Sequence, residues 1–324
     1  HWTLDDIRWQ DFDAAKVDPD ILRAVKAAAM VEFNAPDYVT YLCNVFADRP
    51  DVKEAIQQWG GEEVQHGQAL ARWAELADPG FDFDQAFARF QADYRIDTNA
   101  IESVRGSRSG ELIARCVVES GTSSYYTAIK DATDEPVLKQ IASNIAADEF
   151  RHYKLFYDQF NDLGEIQPSI LDRIRVALGR VSEADDDELA RAYYSANTPF
   201  DGSVTYERIA FSQAYDKRAL GLYRRPPVQR LLSLVGQAAC LQPHVPVLAY
   251  QRHSLIHTIS ICTKLHTTFA RKSSDHVHCL QPHVTVLAAQ RTDDRRAGSA
   301  LGKNNLIVCI CRHSTHICPL SYTQ

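Results

Sequence analysis

Apolar residues recur at helical spacing through the first two thirds of the chain. Ile21, Val25, Ala28, Ala29 and Phe33 fall on one stripe of a helix predicted over residues 21–46, the i, i+3, i+4 pattern of a face turned to a core. Asp18-Pro19-Asp20 supplies its start, because proline suits a first turn, and Asp48-Arg49-Pro50 ends it. A second helix follows over 51–77, stopped by Asp78-Pro79-Gly80, then a shorter amphipathic segment over 84–94. A third long helix is predicted over 109–132. Asp134-Glu135-Pro136 opens a fourth that reaches about 163, where Gly164 ends it. Shorter helices are expected over 169–181, 184–196 and 205–223. Strand-like alternation is almost absent, so the fold class is all-α.

Loop lengths set the topology. A few residues join the first and second long helices, and likewise the third and fourth, so each pair is an antiparallel hairpin. About 30 residues separate the two hairpins, enough at ~3.3 Å per extended residue to return along a bundle. Two hairpins joined by one long crossover make a four-helix bundle with extra C-terminal helices.

Charge divides the chain near residue 230. Residues 1–230 carry 26 basic against 39 acidic side chains, whereas 231–324 carry 9 against 3. The net charge of −7 argues against a nucleic-acid binder, which needs a basic face. No apolar run reaches the ~20 residues of a membrane helix. The chain begins at His1 and its only methionine is Met30, so it reads as a fragment or a processed form, expected in the cytoplasm.

The chemistry lies in two matched strings. Between His1 and His244 the only histidines are His66 and His152, and each follows a glutamate by three residues, Glu63 and Glu149. That spacing puts both side chains on one helix face, within reach of one metal. Glu32 lies 31 residues before Glu63, and Glu119 lies 30 before Glu149. In an antiparallel hairpin these separations bring each pair to one height. Glu32, Glu63, His66, Glu119, Glu149 and His152 are therefore expected to converge at mid-bundle as metal ligands. Four buried carboxylates would be strongly destabilising alone, and two divalent cations would neutralise them. Oxygen and imidazole donors suit iron, with manganese as the other candidate. Asp148 and Glu62, each preceding a ligand glutamate, are candidates to accept the second N–H of a metal-bound histidine. Pro36 deprives the Glu32 carbonyl of its helical donor and predicts a kink. Gly60, Gly61 and Gly67 flank the ligands and suggest close helix packing.

These strings carry a resemblance. WGGEEVQHGQAL at 59–70 resembles the E-E-x-x-H-G segment of soluble acyl-carrier-protein desaturases, and IAADEFRH at 145–152 resembles their D-E-x-R-H segment. Over residues 20–160 the chain is similar to the ferritin-like di-iron carboxylate superfamily. The resemblance implies a ferritin-like bundle, two iron ions held by the six residues above, and Thr122 as an active-site threonine. It also implies O2-dependent chemistry on an acyl or other small molecule and a ferredoxin-like electron donor; a homodimer is a separate possibility. Docking an acidic carrier would need a basic patch, with Arg105, Arg108 and Arg115 or Arg224, Arg225 and Arg230 as the two available runs, although solvated surface is the simpler reading of both. A rubrerythrin-like or ferritin-like protein that binds iron or removes peroxide, with no organic substrate, is the alternative. Tyr125 and Tyr126 are candidate electron relays, with ordinary core packing the simpler reading.

Residues 231–324 differ in kind. They hold six of the eight cysteines and nine of the twelve histidines, and CLQPHVPVLAYQR at 240–252 recurs as CLQPHVTVLAAQR at 279–291. Two copies do not make a repeat domain. The expectation is a low-order tail, translated from frame-shifted or non-coding sequence; zinc or copper binding is the other reading.

Overall fold

The computed structural model describes residues 1–182, 187–223, 284–286 and 308–310. It divides into two compact units, 1–243 and 244–324. Every regular element described in the first unit is a helix. Nine α-helices are described: α1 (Pro19–Phe33), α2 (Ala35–Val45), α3 (Pro50–Ala77), α4 (Phe83–Asp93), α5 (Arg108–Ala132), α6 (Pro136–Asp162), α7 (Ile170–Ser182), α8 (Asp187–Asn197) and α9 (Arg208–Gly221). In the second unit, two three-residue strands, β1 (Val284–Val286) and β2 (Val308–Ile310), pair antiparallel with Val284 opposite Ile310. Apart from these strands, the expectations for 231–324 lie outside the described residues, as do Arg224, Arg225 and Arg230.

The predicted first helix is two helices. It breaks at Asn34, two residues before Pro36, and α2 restarts with that proline in its first turn. Proline cannot donate to the Glu32 carbonyl, so a helical ladder cannot run through this point. The break is held from outside by Glu188 of α8, which accepts Asn34 Nδ2 at 3.2 Å and the Tyr38 hydroxyl at 2.6 Å.

The long helices pair as two hairpins, α1 and α2 against α3, and α5 against α6, with α3 also packed on α6. Helix starts use acidic caps. Asp18 accepts from the amides of Asp20 and Ile21, and Glu135 from those of Val137 and Leu138, satisfying donors that no helical carbonyl can reach. Glu135 is fully buried and also accepts Trp73 Nε1 at 2.7 Å and the Asp13 amide at 3.1 Å. It thus ties α3, α6 and the N-terminal segment together.

The apolar interior is in two parts. One contains Met30, Leu70, Trp73, Tyr126, Ile129 and Ile141; the other contains Leu42, Ile56, Trp59, Leu112, Ile113 and Phe156. On α3 the two groups are separated by Glu63 and His66, on α5 by Glu119, and on α6 by Glu149 and His152. A polar layer crosses the bundle at mid-height.

No helix among the described residues is long and apolar enough to cross a membrane. The run Arg105, Arg108 and Arg115 is not a surface patch, because Arg115 is buried and Arg108 is paired with Asp48 and Glu165. One face of α5 points inward, and Arg115 lies on it one turn before Glu119.

Candidate metal centre

The polar layer holds all six expected ligand residues, each at most 7% exposed. Their side chains form two overlapping groups whose donor atoms lie within 4.8 Å of one another: Glu32, Glu63, His66 and Glu149, and Glu63, Glu119, Glu149 and His152. Glu63 and Glu149 belong to both. Each group then adds one private glutamate and one histidine, Glu32 with His66 and Glu119 with His152. The i, i+3 spacing on α3 and α6 accounts for each glutamate–histidine pair. The antiparallel hairpins bring Glu32 and Glu119 to the same level.

Inner histidine nitrogens face carboxylates without hydrogen bonding to them. His66 Nδ1 lies 3.2 Å from Glu149 Oε1 and 3.5 Å from Glu63 Oε2. His152 Nδ1 lies 3.0 Å from Glu63 Oε1. Both Nδ1 atoms, with Glu119 Oε1 and Glu149 Oε1, are buried with no hydrogen-bond partner. Buried polar atoms are rarely left this way. Unpaired nitrogen and oxygen atoms converging on common points are the donor set a cation requires, so the residues fit a metal ion.

The outer nitrogens are fixed crosswise. His66 Nε2, on α3, donates to Asp148 Oδ2 of α6 at 3.0 Å, and His152 Nε2, on α6, donates to Glu62 Oε2 of α3 at 3.0 Å. The two outer carboxylates expected from sequence thus each serve the histidine of the opposite hairpin. Each bond holds a ring proton on Nε2 and turns Nδ1 toward the cluster, the nitrogen that would meet a cation once its own proton is displaced. Arg151 links the two, with Nη1 2.5 Å from Asp148 Oδ1 and Nη2 3.2 Å from Glu62 Oε2.

Three participants were not assigned these roles from sequence. Trp2 donates Nε1 to Asp148 Oδ2 at 2.8 Å and stacks on the His66 ring at a centroid distance of 6.0 Å. Its separation of 146 residues from Asp148 leaves no local signal. Arg151 sits inside the IAADEFRH string, between Glu149 and His152, so its position was legible but its role was not. Tyr126 donates to Glu32 Oε1 at 2.5 Å; it is at once a core aromatic and a partner of the cluster. Tyr125 packs against the rings of Tyr126 and Tyr215. Thr122 Oγ1 lies 2.7 Å from Glu149 Oε2 and 3.1 Å from the Val118 and Glu119 carbonyls, so one proton faces three acceptors.

Electrostatics match this crowding. Burial, then the charges of Glu63 and Glu149, hold Glu32 well above the usual carboxylate range. Burial followed by Glu149 and Glu63 does the same to Glu119. For Glu63 burial acts upward, but its close contacts with Glu32, His152 and His66 outweigh it and the group is held well below that range. Burial acts against a charged imidazole at His66 and His152, yet their carboxylate partners outweigh it and hold both well above the ordinary value. Protons shared among these groups therefore offset like charges that cations would otherwise offset.

Close helix approach shapes the layer. A Cβ on Gly67 would lie 2.7–2.8 Å from the Phe33 backbone, and one on Gly60 would lie 2.1 Å from Val39 Cγ2. Gly61 has open space around it. Two of the three glycines expected to mark close packing do so.

No protein-family model matches the chain, and neither does any curated protein sequence. The class of the protein rests on its own residues: a first unit whose described elements are all helices, with a buried glutamate–histidine cluster able to hold a metal ion.

Proposed function

We propose that the chain is a ferritin-like di-iron oxidoreductase that activates O2, of desaturase or oxygenase type. The observation that carries this reading is the sharing of Glu63 and Glu149 between two donor groups. Two shared carboxylates imply two neighbouring cations, and two such cations are suited to two-electron chemistry. In this reading Glu63 and Glu149 would serve both ions, Glu32 and His66 would hold one of them, and Glu119 and His152 the other. Bound ferrous ions would supply the electrons that reduce dioxygen.

The chain's own residues contribute orientation and protons. Asp148 and Glu62 hold the histidine rings so that Nδ1 faces inward. Tyr126 steadies Glu32. Thr122 holds a proton at Oγ1 beside Glu149, where it can be passed to a neighbouring oxygen. The apolar groups above and below exclude water from the layer, which strengthens each electrostatic contact within it. Electrons would come from a ferredoxin-like donor.

The test is metal analysis of the full chain, then absorbance after anaerobic Fe(II) loading and a pulse of O2. Two irons per chain and a ferric charge-transfer band that grows with the pulse are expected. Absence of tight metal, together with Glu63→Ala and Glu149→Ala variants as stable as the parent, would refute the site.

A further inference from the structure

One turn of α5 from the cluster lies a second feature. A cavity of about 480 Å³ opens among α2, α5, α7 and the segment that precedes α5, a size typical of small-molecule sites. Tyr38, Tyr41, Tyr94, Ile96 and Val104 give it flat or apolar walls. The tyrosine tips are turned into the structure: Tyr38 donates to Glu188 at 2.6 Å, and Tyr41 donates to Glu111 at 2.8 Å while accepting the Val104 amide at 3.0 Å. What these residues offer the cavity is ring surface.

The charges around it are unequally satisfied. Glu111 Oε2 accepts from Tyr41 and from Ser103 at 2.7 Å, and Asp187 accepts from Tyr206 and from Arg191 at 2.9 Å. Arg115 differs. It is 7% exposed and lines the cavity, yet its buried Nε has no hydrogen-bond partner. Its nearest carboxylate oxygen, Glu111 Oε1, is 3.8 Å away, and its guanidinium lies 5.2 Å from the Tyr38 ring centre. A buried guanidinium is costly unless its donors are met, and its planar fork matches a carboxylate.

We propose that this cavity is a binding site for a small organic monocarboxylate with a flat or short apolar body, its carboxylate held by Arg115 and its body lying between the tyrosine rings. Arg105, Arg180 and Arg208 line the cavity alongside Asp97, Glu111 and Asp187, so charge alone does not choose the anion; the flat and apolar walls favour an organic carboxylate over phosphate. The site stands on the cavity and Arg115 and does not depend on which metal the cluster holds.

The probe is 4-fluorobenzoate, titrated into the full chain and followed by ¹⁹F NMR. Saturable binding is expected, displaced by benzoate and poorly by inorganic phosphate. Arg115→Gln should weaken it at least about tenfold, the scale of losing one charge-assisted pair, and Arg115→Lys less. Val104→Trp changes a residue 72% exposed at the cavity and should block binding with the fold intact, which keeps the test decisive should Arg115→Gln fail to fold. Three results would each overturn the proposal. One is no saturable binding to the parent chain, another is binding untouched by Val104→Trp or by a folded Arg115→Gln, and the third is displacement by phosphate as readily as by benzoate.

Discussion

His66 and Asp148 sit 82 residues apart, on different hairpins, and are joined by a 3.0 Å hydrogen bond from Nε2 to Oδ2. The bond decides which ring nitrogen faces the cluster, so it decides what the ring can bind. Asp148→Asn removes the charge and half the acceptor capacity while keeping the shape. Ferrous affinity, measured by chelator competition, is expected to fall about 10–100-fold, the scale for losing such an orienting partner. Unchanged affinity would mean that His66 is not a ligand.

Metal removal should cost stability. A cation that binds only the folded chain stabilises it by about 2.7 kcal/mol at a hundredfold excess over Kd. The melting temperature of the Fe(II)-loaded chain under anaerobic conditions should therefore exceed that of the chelated one. In a Glu63→Ala variant the two should coincide, because Glu63 belongs to both groups. Coincident melting of the parent chain with and without metal would dispose of the centre.

Gly67 and Gly61 make an internal comparison on one helix. Gly67→Ala drives a methyl group into the Phe33 backbone, one residue from Glu32, and should destabilise by about 1–3 kcal/mol while weakening metal binding. Gly61→Ala meets nothing and should gain up to about 1 kcal/mol from helix propensity. Thermal denaturation of the two variants checks the opposite signs; equal shifts would mean that α1 and α3 are not closely apposed at Gly67.

Glu135 is a cap whose loss should reach beyond its own helix. Glu135→Ala leaves the α6 amides without their acceptor, at about 0.5–2 kcal/mol, and strands the buried Trp73 N–H, at about 1–3 kcal/mol more. Urea denaturation should show a loss within the sum of these ranges. A loss under 0.5 kcal/mol would show that water replaces the carboxylate.

The helices and the cluster were legible in the sequence for local reasons. Helical periodicity located α3, α5 and α6 to within one or two residues, and the paired E-x-x-H strings, with Glu32 and Glu119 at matched distances, located the polar layer. Proline chemistry predicts a kink at Pro36 within one helix over 21–46, and the structure turns that kink into a full break at Asn34. What escaped was long-range contact. Trp2 on Asp148, Arg151 across both outer carboxylates, and the burial of Arg115 depend on which faces meet, and a single helix's sequence does not state that. Arg115 reads as surface charge until α5 is placed against α2.

The interleaving of ligands bears on the order in which the protein matures. One donor group takes three residues from the first hairpin and one from the second; the other takes one from the first and three from the second. A nascent chain that has finished α3 therefore holds most of one set but completes neither. Capture of a metal ion would have to wait until α6 has docked, so such an ion would act as a late latch on the assembled helices rather than as a seed around which they condense.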